Sequence, residues 1–327
     1  MILVRSPLRI TLGGGGTDLP SYANQFGGFC LTAAIDKYVY VSAMRPFTPG
    51  IFLKYSALEH VETIDAVHHP IIREALRALD IPPQIELTTL ADIPAGTGLG
   101  SSSSFTTALL QALVVFQVQH PWRPKELAEN AAAIEMQRLG EPIGKQDAYS
   151  AAFGGFPQLT IGPNGAVTVA PLLINATVRA WLEDGLLLFY TGLTRQARSV
   201  LYQQRAATIA LTDDALQRLH TVKARGLEAR RLLQAGQVHD FGLLLHEHWQ
   251  EKRSRTPGMS TPQIDAWYDL ARATGAIGGK LVGAGAGGCL LFYTEHPRRL
   301  RAGLAQSGLE EIRFRFDFEG TKMLVSA

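Results

Sequence analysis

Cysteine is nearly missing from the 327-residue chain: Cys30 and Cys289 are its only two, too few and too far apart to make a disulfide framework. Their scarcity points to a reducing compartment, the cytoplasm, and to two small core side chains rather than metal ligands. Charge of one sign is lacking too, with 31 Lys and Arg against 29 Asp and Glu, which gives no reason to invoke nucleic acid or a membrane surface. No uninterrupted apolar run reaches the ~20 residues that a spanning helix needs. Patterned strand begins straight after Met1, so neither a signal peptide nor an anchor is expected. Internal repeats and low-complexity tracts are also absent. What remains is a chain with 46% apolar residues, enough at this length to build two modest cores.

Glycine, by contrast, is plentiful and clustered. The segment Asp92-Ile93-Pro94-Ala95-Gly96-Thr97-Gly98-Leu99-Gly100-Ser101-Ser102-Ser103-Ser104 runs into an apolar stretch, Phe105 to Phe116, with the length of a buried helix. Alternating glycines let backbone approach an anion closely, and the first amides of the helix are unpaired at its positive dipole end. The loop therefore reads as a phosphate cradle, although no Gly-Lys-Ser/Thr closes it as in the common P-loop. A glycine turn with a serine N-cap is the plainer alternative, but four serines exceed what one cap requires. A second cluster, Leu12 to Asp18, follows a strand pair or bent strand at Ile2–Ile10. A third, Gly283-Ala284-Gly285-Ala286-Gly287-Gly288, lies between two apolar strands, so its glycine spacing lacks the helix that a dinucleotide fold demands. Each of these two alone is as compatible with a tight turn or hairpin as with a binding function.

The remaining pattern mixes strands and helices. Alternation predicts strands at Tyr38–Ala43, Ile51–Tyr55 and Leu186–Tyr190, and helical spacing covers His69–Leu79, Lys125–Leu139 and Pro262–Thr274. Three long helical stretches are expected between Gln196 and Lys252, followed by strand, helix and strand. A boundary near Asn175–Asp184 divides the chain into parts 1–178 and 179–327. The cluster Lys223, Arg225, Arg230 and Arg231 reads as a solvated helix face, and His246 and His248 lack metal-ligand spacing. The fold class is α+β in two layered halves.

The order of the three glycine clusters resembles that of the GHMP kinases, the superfamily named for galactokinase, homoserine kinase, mevalonate kinase and phosphomevalonate kinase. Its motifs match Ser6–Asp18, Pro94–Ser104 and Gly283–Gly288, and within it the chain is most similar to the D-glycero-D-manno-heptose 7-phosphate kinases. Supporting stretches are Gly144–Gly155, Tyr190–Arg195, Trp249–Lys252 and Gly275–Lys280. The resemblance runs from about residue 2 to about residue 320. It implies a two-domain architecture with the active site in the interdomain cleft, and an ATP- and Mg²⁺-dependent transfer to the anomeric hydroxyl of heptose 7-phosphate, giving the 1,7-bisphosphate. A kinase of a free hexose such as fucose or galactose, and a catalytically silent sugar-binding relative, are the alternatives. The protein partner left open is a second copy of the chain.

By the same resemblance, Asp147 activates the nucleophile and Arg9 faces it and the transferred phosphoryl group, where a guanidinium can neutralise developing charge. Their plainer readings are a helix N-cap and an outward-facing strand arginine. ATP phosphates fall to Pro94, Gly96, Gly98, Leu99, Gly100, Ser101, Ser102 and Ser103. The sugar phosphate falls to Gly15, Gly16, Thr17, Asp18, Lys145, Arg195, Lys280, Gly283 and Gly285. Mg²⁺ is assigned to Ser102 and Glu135, because Gln137 stands where a glutamate ligand is expected and a neutral amide is a poor ligand for a hard cation; a water ligand, an ion held chiefly by ATP, and Glu135 as a solvated helix residue are the alternatives. Ala286 replaces a usual glycine of the third motif.

Overall fold

The computed structural model describes residues 1–118, 120–193, 213–255, 259–283, 285 and 287–326. β1 (Ile2–Gly13) and β2 (Gly28–Met44) form the antiparallel centre of an eight-stranded sheet. One end of β2 pairs with β5 (Gln84–Ala91) and the other with β6 (Pro157–Ile161), which continues to β7 (Val167–Pro171). β3 (Gly50–Lys54) runs parallel to β5 and antiparallel to β4 (Leu58–Val61), and β12 (Lys322–Ser326) returns from the far end of the chain to pair with β1. A four-stranded antiparallel sheet has the order β11 (Glu310–Ile312), β8 (Leu186–Tyr190), β10 (Cys289–Tyr293), β9 (Gly278–Leu281). The third glycine cluster is the connection between β9 and β10, a hairpin loop rather than a strand-to-helix turn.

The helices are α1 (Pro20–Phe26), α2 (Pro70–Ala78), α3 (Ser101–Phe116), α4 (Pro124–Ala132), α5 (Gln146–Phe153), α6 (Ala176–Gly185), α7 (Asp213–Gln234), α8 (Val238–Arg255), α9 (Pro262–Ala273) and α10 (Pro297–Leu304). The expected helices at His69–Leu79 and Pro262–Thr274 form as α2 and α9, each opened by a cap: His69 Nδ1 accepts from Ile72 N–H and Thr261 Oγ1 from Ile264 N–H. The stretch Lys125–Leu139 departs from one regular helix, since α4 widens into a π turn over Ala133–Arg138. Of the expected helices between Gln196 and Lys252, α7 and α8 are described, and residues 194–212 lie outside the described set.

Strand β1 changes its allegiance halfway along. Ile2 and Val4 belong to the core built with α2 to α5, and Ser6 Oγ meets Thr107 Oγ1 of α3 at 2.7 Å. Leu8, Ile10 and Leu12 instead enter a second core with α7, α8, β8 and β10. Strict alternation would keep all of these on one face. The reversal falls at Pro7, where the partner on β2 jumps from Tyr38 to Ile35. It turns Arg9 and Thr11 toward α5.

Helix α7 docks on the first glycine cluster through backbone. A Cβ on Gly226 would lie 2.9 Å from Gly14 Cα, and one on Gly13 would lie 2.8 Å from Gly226 Cα. The basic residues of α7 are correspondingly not a solvated face, which corrects the sequence expectation. Lys223 Nζ donates to Phe26 O and Gly27 O, Arg230 lies 5.5 Å from the Phe29 ring centre, and Arg225 pairs with Glu247 and Glu251 of α8. Of the four, Arg231 keeps the expected character, pairing with Glu228 one turn away at 57% side-chain exposure.

The Gly226 contact sets two effects against each other. Ala is favoured over Gly inside a helix by about 1 kcal/mol, yet the added methyl meets immovable backbone. Gly226→Ala is therefore expected to destabilise the fold by about 1–3 kcal/mol in urea denaturation. A gain in stability would show that α7 does not sit on the glycine cluster.

Candidate active site

The second glycine loop has the backbone of an anion cradle. Gly96, Gly98 and Gly100 alternate in the left-handed region with φ of 82°, 79° and 78°. Gly100 opens α3 without any side-chain cap, so the serine-cap alternative does not hold. Ser104 Oγ donates to Pro7 O at 2.7 Å, tying the helix start to β1. The first amides of α3, from Ser101 to Ser103, have no intrahelical acceptor by construction. Leu99 is a core side chain and offers the loop only its backbone, whose carbonyl accepts from Arg9 N–H at 2.9 Å. Pro94 and Gly96 are exposed at the loop entrance.

The third glycine loop presses directly on the second. A Cβ on Gly98 would lie 2.5 Å from Val282 O, one on Gly283 would lie 2.6 Å from Gly98 Cα, and one on Gly288 would lie 2.4 Å from Thr97 O. Gly285 packs in the same manner under Met259. Ala286 lies outside the described residues.

Arg9 and Asp147 meet as a bidentate pair: Nε donates to Oδ1 at 2.8 Å and Nη2 to Oδ2 at 2.7 Å. Arg9 also donates from Nη1 to Gly98 O at 2.6 Å, so one buried guanidinium links the phosphate loop to the carboxylate. Gly100 makes room, since a Cβ there would stand 3.2 Å from Arg9 Cγ and 3.4 Å from Asp147 Cγ. Neither plainer reading survives: Arg9 is buried, and Lys145 rather than Asp147 occupies the N-cap of α5. Asp18 stands close by. Its Oδ1 accepts from Gly16 N–H at 3.1 Å and its Oδ2 from Gln146 N–H at 2.9 Å, while α1 is capped by Leu19. Burial, and then the neighbouring Asp147 charge, push the Asp18 carboxyl upward against these N–H donors. A Cβ on Gly15 would lie 3.0 Å from Thr11 Cγ2 and 3.4 Å from Gln146 Oε1, whereas Gly16 faces open space. Thr17 is fully buried, with its hydroxyl committed to Gly14 O and Phe29 O, so it braces the loop rather than lining it.

Ser102 and Glu135 also come together. Ser102 Oγ donates to Glu135 Oε2 at 2.7 Å, whereas Oε1 of this buried carboxylate has no hydrogen-bond partner. Burial outweighs the hydroxyls of Ser102, Ser103 and Thr106 and pushes Glu135 up to about 7. Gln137 is exposed.

The three basic residues expected at the sugar phosphate part company. Lys145 Nζ is held by Glu129 at 2.7 Å and by Gly165 O at 2.9 Å. Arg195 lies outside the described residues. Lys280 is buried beside the third loop, within the field of Arg9. Lys252 of α8 escaped attention as a site residue, although it donates to Gly283 O at 3.0 Å. Its signal was its place: Leu245, Trp249 and Lys252 fall on one helical face, and the first two are core residues. Two surface cavities, of about 510 Å³ at Glu295–Arg299 and about 380 Å³ between Asp36 and Arg315, include no residue of the glycine loops.

The pattern of the GHMP kinases N terminal domain matches residues 66–155, and that of the GHMP kinases C terminal domain matches residues 229–308. The chain is 28% identical to a D-glycero-alpha-D-manno-heptose 7-phosphate kinase of Campylobacter jejuni, covering 98% of this chain and 97% of that one. It is 29% identical to an L-fucokinase/L-fucose-1-P guanylyltransferase of Bacteroides fragilis, over 90% of this chain and 34% of that longer protein. A crystal structure of a D-glycero-D-manno-heptose 1-phosphate kinase from Bacteroides thetaiotaomicron superposes over 100% of both chains with a TM-score of 0.82 at 25% identity. The chain belongs to the GHMP kinases. It is a sugar kinase of that family, a phosphotransferase, and no helix among the described residues is long and apolar enough to cross a membrane.

The Glu135 carboxyl supplies a pH-dependent test. Because its folded value of about 7 lies above the unfolded 4.5, its contribution to stability is full below 4.5 and is lost as pH rises through 7. Glu135→Gln is therefore expected to match wild type near pH 4.5 and to exceed it increasingly toward pH 8, by roughly 3 kcal/mol at most. Urea denaturation without divalent cations checks this. A constant difference across the range would mean that the carboxylate is not buried uncompensated.

Proposed function

We propose that the protein phosphorylates the anomeric hydroxyl of D-glycero-D-manno-heptose 7-phosphate with ATP, giving the 1,7-bisphosphate, in the cytoplasm. The observation that carries the reading is the Arg9–Asp147 pair anchored on the Gly98 carbonyl, which sets a charged acceptor-side group against a phosphate cradle. The parts of the chain before and after residue 178 each contribute one of the interlocked glycine loops. Names of relatives support a heptose phosphate as the acceptor, one being a heptose 7-phosphate kinase and another a heptose 1-phosphate kinase.

The amides of Gly96 to Ser103 cradle the nucleotide phosphates and hold the terminal one at the start of α3. Asp147 accepts the proton of the anomeric hydroxyl as transfer proceeds, a late loss that suits a weak base. Arg9 fixes the orientation of that carboxylate and neutralises charge on the transferred group. Asp18 accepts hydrogen bonds from sugar hydroxyls, with Gly15 and Gly16 folding over the ring. Lys280, Gly283 and Gly285 lie on the sugar phosphate side, with Arg195 and Lys145 its further basic residues. The donor set of Ser102 and Glu135, hard oxygens with one buried carboxylate oxygen unpartnered, fits Mg²⁺. When bound there, the ion would neutralise phosphate charge.

Asp147→Asn is expected to keep the fold and ATP affinity while reducing turnover by roughly 10²-fold or more. Wild-type turnover would remove Asp147 from the mechanism. The deciding assay is ADP release with Mg-ATP across heptose 7-phosphate, heptose 1-phosphate, free heptose, fucose, galactose and mannose. Activity confined to heptose 7-phosphate supports the proposal. Equal turnover of a free hexose favours the reading suggested by the fucokinase relative, and binding of sugar and ATP without ADP would indicate a silent sugar-binding protein.

A further inference from the structure

Among the described residues, the positive charge behind the third glycine loop is not balanced. Arg9 is neutralised by Asp147, and Arg225 by Glu247 and Glu251. Lys280, on β9, is 6% exposed, and its ammonium makes no hydrogen bond or ion pair among the described residues. The charges it feels are those of Lys252 and Arg9, both repulsive. Lys252 has Gly283 O as its hydrogen-bond acceptor, an uncharged one. Burial, and then the charges of Lys280, Lys252 and Arg225, push the imidazole of His248, one turn before Lys252, well below its usual range. In the same interlock, the buried hydroxyl of Thr97 has no partner among the described residues.

Among the described residues neither ammonium has a counter-charge; Lys280 is buried and Lys252 half-buried, and loss of water depresses their pKa values to about 7 for Lys280 and about 8 for Lys252. Apolar side chains of similar shape would fill the same space without such a cost. The arrangement gains meaning once an anion enters. A phosphate suits it in charge, in needing several donors, and in position, because Val282 and Gly283 connect Lys280 to the backbone contact with Gly98.

We infer that Lys252 and Lys280 together form a subsite for a phosphate dianion at the junction of the two glycine loops. The anion is either the terminal phosphate of the nucleotide or the phosphate that the acceptor already carries. Only the second source rests on the proposed reaction.

Thermal unfolding of wild type, Lys252→Met and Lys280→Met with inorganic phosphate, against potassium chloride at equal ionic strength, tests the subsite without any sugar. Without phosphate, each variant is expected to melt above wild type by about 2–4 °C. In phosphate, wild type should rise and both variants should lose most of that rise. A variant that melts below wild type in phosphate-free buffer, or that keeps the full phosphate response, overturns the inference. Steady-state kinetics then separates the sources. A tenfold or larger rise in KM for ATP, with the acceptor KM unchanged, assigns the subsite to the nucleotide. The reverse pattern with heptose 7-phosphate assigns it to the acceptor, and unchanged KM values for both substrates overturn it. Failure to turn over heptose 7-phosphate would sink the proposed reaction and leave the phosphate response standing.

Discussion

Everything at the site hangs on two stretches of backbone that touch at Gly98 and Gly283. With no side chain at either position, the phosphate loop and the β9–β10 loop close to a separation that a methyl group would prevent. The two carbonyls then serve as fixed points for long side chains from elsewhere: Gly98 O receives Arg9 from β1, and Gly283 O receives Lys252 from α8. Residues 89 and 31 positions apart in sequence thus acquire a common frame.

Around that frame the charges are compensated unevenly, and the unevenness is informative. Arg9 and Asp147 neutralise one another with ideal two-bond geometry. Among the described residues, Glu135 accepts from Ser102 while its other oxygen has no hydrogen-bond partner, and the charges acting on Lys280 are those of Lys252 and Arg9. Groups of this kind weaken the empty protein, because buried charge without a partner costs more than an apolar replacement. Their signs are opposite: a carboxyl at the head of α3 and an ammonium behind the third loop. A site pre-charged in this way spends folding stability to avoid reorganising when charge arrives.

Much of this was legible in the sequence because glycine clusters report backbone requirements directly. The three loops, α2, α9 and β8 follow from local pattern, and Arg9 and Asp147, both named by the family resemblance, are brought into contact. The basic face of α7 was not legible. Lys223 and Arg230 have ordinary helical spacing, and only the close approach allowed by Gly13 and Gly226 brings them to Phe26, Gly27 and Phe29. Lys252 was hidden for a related reason: a lysine on an apolar helix face looks like one that snorkels to solvent until its acceptor, a loop carbonyl from a distant hairpin, is known.

The π turn after α4 leaves the buried face of the helix where spacing alone would put it. The wider turn closes with Leu139 N–H on Ile134 O, five residues back. Leu127, Ala128, Ala131, Ile134 and Glu135 are buried at intervals of three, four and seven, as in a regular helix, and Asn130 and Gln137, seven apart, are both exposed. The burial of Glu135 against Ser102 is therefore a consequence of ordinary helical register, and the amide of Gln137 falls on the exposed face of the same helix.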